Sequence, residues 1–225
     1  MASPQPVPSS KTSDRDLTSI AEARTLARRA KQAQAEIAEL SQERIDAIVD
    51  AMAAAVAPQC EALARLAVEE TGYGVVADKI QKNQFAADRV YRLIRPMTTV
   101  GVPPRLEDRK VVEIAEPFGV VAAIVPSTNP TSTAIYKILI ALKARCAIVI
   151  SPHPAAVRCI TRVAEIMNDA ARGAGAPEGS SNWMTTVTLE GTQELMKSRD
   201  VAVILATGGM GLVRAAYSSG KPAYG

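Results

Sequence analysis

The chain has 225 residues, 48% of them hydrophobic and 22% charged, the make-up of a globular chain able to bury a sizeable core. A formal net charge of +3, with no block of like charge and no basic residues interleaved with aromatics, argues against a nucleic-acid surface. Three widely spaced cysteines and a single histidine exclude a disulfide framework and a structural zinc site, and no apolar run approaches the ~18 residues of a membrane span, so a reducing cytoplasm is the expected setting.

Residues 1–13 carry Pro4, Pro6 and Pro8 without an apolar run and read as a disordered tail, not a signal peptide. From 14 to 97 the pattern is helical and rich in alanine. Aromatics make up only 4% of the chain, so its core must be built from Ala, Val, Ile and Leu on slim, close-packed helices. Ser41 is placed to cap a second helix, on which Ile45, Ile48, Val49, Met52 and Val56 mark one buried stripe. Pro58 suits the first turn of a third helix, which Gly72 or Gly74 can stop, and a fourth is expected over 76–93.

The character changes at Pro96. Residues 98–117 read as a projecting hairpin, with strands near 100–104 and 110–115 around a charged turn. Because an unpaired strand edge is a liability, such an arm is expected to pair with a second copy of the chain in a homo-oligomer. Strands then alternate with helices from 118 to 225. Strands are expected at 119–125, 147–150, 183–189 and 201–206, and helices at 131–143, 155–172, 193–198 and 212–218. Continuous apolar strands alternating with helices predict an α/β fold with a Rossmann-like parallel sheet, covered on both faces by helices. The final Lys221-Pro222-Ala223-Tyr224-Gly225 falls where another strand would begin, so the sheet is expected to be truncated.

Three strand-end turns carry candidate chemistry, because ligands of open α/β sheets bind outside the carboxyl ends of the strands. The first is Pro126-Ser127-Thr128-Asn129-Pro130. The Asn129 amide can stabilise a developing oxyanion, or it can cap the helix that follows, and local sequence by itself favours the cap. The second is Ser151-Pro152-His153-Pro154, able to touch a ribose or phosphate, or simply a turn with a helix-starting proline. The third is Thr207-Gly208-Gly209-Met210-Gly211, whose glycines let backbone amides approach a pyrophosphate. Arg214 stands where the dinucleotide fingerprint has its third glycine, so a packing role remains open there. Cys60, Cys146 and Cys159 read as small buried hydrophobes, none placed where its pKa would fall.

Together these stretches resemble the aldehyde dehydrogenase superfamily, in its acylating, coenzyme A-dependent branch. The resemblance is carried by Glu116-Pro117-Phe118-Gly119-Val120, by residues 125–133, by Ser151-Pro152-His153-Pro154, and by Ala206-Thr207-Gly208-Gly209 leading to residues 215–222. Glu69-Glu70-Thr71-Gly72, Asp78-Lys79 and Lys82-Asn83 fit the same branch, and the likeness runs from about Ala23 to the last residue. It implies that Asn129 is the oxyanion donor. It implies that Pro126, Ser127, Ser151, Pro152, His153, Thr207, Gly208, Gly209 and Gly211 bind NAD or NADP, and that the 98–117 hairpin is an oligomerisation arm. The lysine that hydrolytic relatives place before the proline at 152 is replaced by Ser151, which leaves both dinucleotides open. The implied chemistry is covalent. A cysteine thiolate adds to a short aldehyde, hydride leaves to the nicotinamide, and coenzyme A takes the acyl group from the resulting thioester. That cysteine lies beyond Gly225 in the family pattern, so the chain alone is expected to be inactive. A hydrolytic aldehyde dehydrogenase and a non-catalytic nucleotide-binding fragment are the alternatives.

Overall fold

A computed structural model describes residues 13–103 and 112–225. The tip of the expected hairpin and all but the last residue of the expected tail lie outside the described residues. Helix α1 (Asp14–Ala38) starts at Ser13 with a capping box. The Ser13 hydroxyl accepts from the Asp16 amide, and the Asp16 carboxylate accepts from the Ser13 amide. Ser41 caps α2 (Gln42–Val56), which passes through a 3-10 turn holding Pro58 into α3 (Cys60–Thr71). Gly72, at φ 67°, ends α3. This continuous helix, Gln42–Thr71, is long and apolar enough to cross a membrane by length and composition, but its apolar stripe is buried against later helices. The helix expected over 76–93 is present, with a widened centre. α4 (Val76–Gln84) continues through a π-helical segment (Phe85–Val90) into α5 (Tyr91–Ile94).

The sheet is parallel throughout and runs β3-β2-β1-β4-β5, with β1 (Val120–Val125), β2 (Ile148–Pro152), β3 (Ser181–Trp183), β4 (Val201–Ala206) and β5 (Ala223–Tyr224). β1 and β2 are buried along their whole length, which is why β1 and residues 148–150 of β2 read as apolar runs. α6 (Pro130–Lys143) and α7 (Val157–Gly173) cover one face, backed by α2, α3 and α4. α1 and α8 (Leu189–Lys197) cover the other, and α9 (Met210–Tyr217) joins β4 to β5. Along α1, Ala23, Ala27 and Ala30 are fully buried, small side chains that bring its backbone close to the sheet and α8. Glu70, at the end of α3, accepts the Arg158 and Cys159 amides at 2.7 Å each and so caps α7 from outside its own chain segment.

Three expectations shift. The strand expected at 183–189 is shorter and earlier, because α1 takes the amides that a ladder would need. Glu22 accepts from Thr185 and Thr186, and the Ser19 hydroxyl accepts from Thr188. Residues 184–188 therefore run as a loop to Thr188, which caps α8 four residues before the expected start. The strand expected near 110–115 is represented among the described residues by one antiparallel bridge, Gly101 to Ala115. Arg145 secures this base. It holds a left-handed backbone (φ 55°) and donates to the carbonyls of Ala38, Thr99 and Ala115. Gly119, at φ 122°, turns the chain into β1 where a Cβ would sit 3.0 Å from that of Ala202, so the strand begins one residue later than expected.

Candidate functional site

β1 is followed by β2 on one side, while β4 lies on its other side. The winding reverses between β1 and β4, and a crevice opens at the carboxyl ends of those strands. The strand tips are in register there. His153 donates its amide to the Val125 carbonyl at 2.8 Å, and Thr207 donates to Ile124 at 3.2 Å. Turns remote in sequence thus converge on one cleft of about 660 Å³. Pro126, Ser127, Ser151, Pro152, His153, Thr207, Gly208 and Gly209 all line it. Gly211 does not. It sits one residue inside α9, with open space where a Cβ would be.

The cleft pairs apolar walls with backbone donors. Val187, Leu189 and Leu212 are among its apolar lining residues. Sequence reading missed Val187 and Leu189 because both fall inside the stretch expected as a strand. Gly209 stands at the N-cap of α9 without a side chain to cap it, so the Met210 and Gly211 amides have no side-chain acceptor, while Leu212 donates to the Gly209 carbonyl at 3.0 Å. A Cβ on Gly208 would lie 2.5 Å from Leu212 Cδ2, so a larger residue there would have to displace the end of the leucine side chain. His153 accepts the Ala155 amide at Nδ1, leaving Nε2 free to donate. Ser151 is fully buried against the Thr192 hydroxyl at 2.8 Å, and Thr192 donates onward to the Thr188 carbonyl, so the Ser151 proton is already committed.

Asn129 occupies the N-cap of α6, ahead of Pro130 at the first helical position, yet makes no side-chain capping bond. Its Oδ1 accepts from Lys82 Nζ at 3.0 Å. The side chain is half-buried beside Thr128, which lines the cleft, and is not itself one of the lining residues. The capping role favoured by local sequence is therefore not the one the geometry adopts.

The family model of the aldehyde dehydrogenase family matches residues 2–222. The chain belongs to the aldehyde dehydrogenase family. The bifunctional aldehyde-alcohol dehydrogenase AdhE of Escherichia coli (strain K12) is 46% identical over 209 residues, which cover 93% of this chain and 24% of that protein. The succinate-semialdehyde dehydrogenase (acetylating) of Clostridium kluyveri is 40% identical over 200 residues, covering 89% of this chain and 44% of the other. A crystal structure of an acetylating aldehyde dehydrogenase from Geobacillus thermoglucosidasius superposes with a TM-score of 0.91 at 55% identity, covering 94% of this chain and 47% of that one. The chain thus spans about a quarter of the first relative and just under half of the other two.

In this aldehyde dehydrogenase chain, Lys137 is a third residue that sequence reading missed. A lysine on an amphipathic helix reads as solvated, but α6 is packed nearly all round and Lys137 is 1% exposed. Its Nζ donates at 2.8 Å to both Ile124 and Leu205, bridging the ends of β1 and β4 beneath the crevice. Burial pushes its pKa down from 10.5 to about 7. The unfolded chain then binds the extra proton between about pH 7 and 10.5, so this group makes stability rise with pH across that window. The stability of wild type relative to Lys137→Met, read from urea midpoints, is expected to rise from pH 7 to pH 9, by at most about 1.4 kcal/mol per pH unit. A gap independent of pH would refute the shift. The cysteines offer no thiolate to the cleft. Cys60, Cys146 and Cys159 are all buried, and burial raises each thiol above its usual range.

Proposed function

We propose that this chain is the cofactor-binding half of a coenzyme A-acylating aldehyde dehydrogenase, oxidising a short aldehyde of the acetaldehyde, succinic semialdehyde or sulfoacetaldehyde type to its acyl-CoA. One observation carries the reading. Three turns spread over about eighty residues of sequence bring eight candidate residues to a single cleft at the point where the winding reverses. The residues fit a nicotinamide dinucleotide, NAD or NADP. Apolar walls suit its rings, and a close-packed glycine followed by an uncapped helix start suits its pyrophosphate. When bound, that group accepts the hydride of the aldehyde carbon. Asn129 offers its amide N–H to the aldehyde oxygen as negative charge develops there. The acylating assignment draws support from the relatives described as acetylating.

We assign the nucleophilic thiol to sequence outside this chain, because Cys60, Cys146 and Cys159 are all buried and none of them lines the cleft. Exposed Val102, Val112, Ile114 and Phe118 around the Gly101–Ala115 bridge support the reading of 98–117 as a homo-oligomerisation arm. The deciding experiment follows absorbance of the reduced dinucleotide in the full-length enzyme supplied with aldehyde, with and without coenzyme A. Reduction is expected to require the thiol cosubstrate, and the 225-residue chain alone is expected to show none. Acid formation without coenzyme A would favour a hydrolytic enzyme, and coenzyme A-dependent turnover by the chain alone would refute the assigned position of the nucleophile.

A further inference from the structure

Helix α4 turns one face toward the loop that carries Asn129. Positions 79, 82 and 83 share that face by helical spacing. Lys79 Nζ donates to the Thr128 carbonyl at 2.7 Å, Lys82 Nζ to Asn129 Oδ1 at 3.0 Å, and Asn83 Oδ1 accepts from the Thr131 hydroxyl at 2.8 Å. Asn83 is anchored in turn, donating to the Cys60 carbonyl at 3.0 Å. Lys79 is only 4% exposed, and Gly74 (φ 78°) packs against its stem, where a Cβ would lie 3.3 Å from Cε. Three bonds thus tie the stretch 128–131 to one rigid helix, and the π-helical widening begins at Phe85, immediately after it. Such widened turns are frequent at functional sites.

A lysine ammonium has only donors, so its partner on Asn129 must be the amide oxygen. Fixing that oxygen fixes the amide plane and leaves the Nδ2 hydrogens as the end available to donate. The adjacent cation also draws electron density toward Oδ1, which strengthens the Nδ2–H groups as donors. We infer that Lys82 is a positioning residue for the Asn129 amide, with Lys79 and Asn83 fixing the surrounding turn. This rests on the reading of Asn129 as oxyanion donor.

Two measurements test it separately from that reading. In the 225-residue chain, Lys82→Met is expected to move the side-chain amide resonances of Asn129 toward those of a freely rotating amide, while Lys82→Arg keeps them near wild type. In the full-length enzyme, Lys82→Met is expected to lower kcat roughly tenfold, with KM for the aldehyde within about threefold and Lys82→Arg restoring most of the rate. On an Asn129→Ala background the same change is expected to add little. Unmoved Asn129 resonances, or a wild-type kcat for Lys82→Met beside a crippled Asn129→Ala, overturn this inference alone. An undiminished kcat for Asn129→Ala overturns the oxyanion reading, and this inference with it.

Discussion

Asn129→Ala in the full-length enzyme is expected to lower kcat by about 10²–10³-fold, the usual cost of removing one oxyanion donor. The physical ground is differential binding. In the proposed role, the Nδ2–H group would meet a neutral carbonyl oxygen in the ground state and an oxyanion as the thiolate adds, so the bond would strengthen only as the barrier is climbed. KM should therefore change far less than kcat. Stability separates this role from the structural one. An asparagine that capped α6 would cost about 1 kcal/mol on truncation. The Asn129 side chain makes no capping bond and its bond to Lys82 is exposed, so the denaturation midpoint of the variant should stay close to wild type. A stable variant with undiminished kcat would remove Asn129 from the chemistry, and a marked loss of stability would return it to the cap.

The second large effect contrasts one substitution at two glycines. Gly191→Ala is expected to destabilise the 225-residue chain by about 3 kcal/mol, at the upper end of the range for overpacking. α8 lies directly on α1 at this point, and the new Cβ would stand 2.8 Å from Ser19 Cβ and 3.0 Å from its carbonyl carbon, closer still to its hydroxyl. Ser19 has no freedom to yield. It is fully buried, donates to the Thr186 carbonyl at 2.6 Å and accepts from the Thr188 amide at 3.2 Å. Moving it would strip partners from the loop that forms one wall of the cleft. Gly211→Ala, in the first turn of α9 with nothing within 4 Å, should instead stabilise by about 0.5 kcal/mol through lower backbone entropy in the unfolded chain. Urea midpoints measured side by side check both signs. Equal effects at the two positions would show that helix propensity, not the contact between α1 and α8, governs Gly191.

Much of the architecture was legible because local physics dictates it. β1 and the first three residues of β2 are buried apolar runs, so both strands were visible in the sequence. The helix start at Ser41 and the stop at Gly72 follow from side-chain capping and a left-handed backbone. The less legible parts depend on partners far away in the chain. Thr185 and Thr186 carry β-forming side chains, but Glu22 on α1 takes their amides. Lys137 reads as solvated until two strand ends arrive above it. Ser151 reads as a free hydroxyl until α8 brings Thr192 against it.

By itself the sequence determined the alternation of strands and helices, the turns that end the strands, and the residue types in those turns, since each depends on neighbours a few positions away. Only the tertiary structure decided which of these turns meet. Sheet order places β4 beside β1, and that pairing creates the cleft and leaves Gly211 outside its wall. It also decided that Asn129 faces Lys82 instead of capping its own helix, because a donor 47 residues earlier in the chain reaches the amide oxygen. Hydrogen bonds at such separation depend on packing, and nothing in the local chain specifies them.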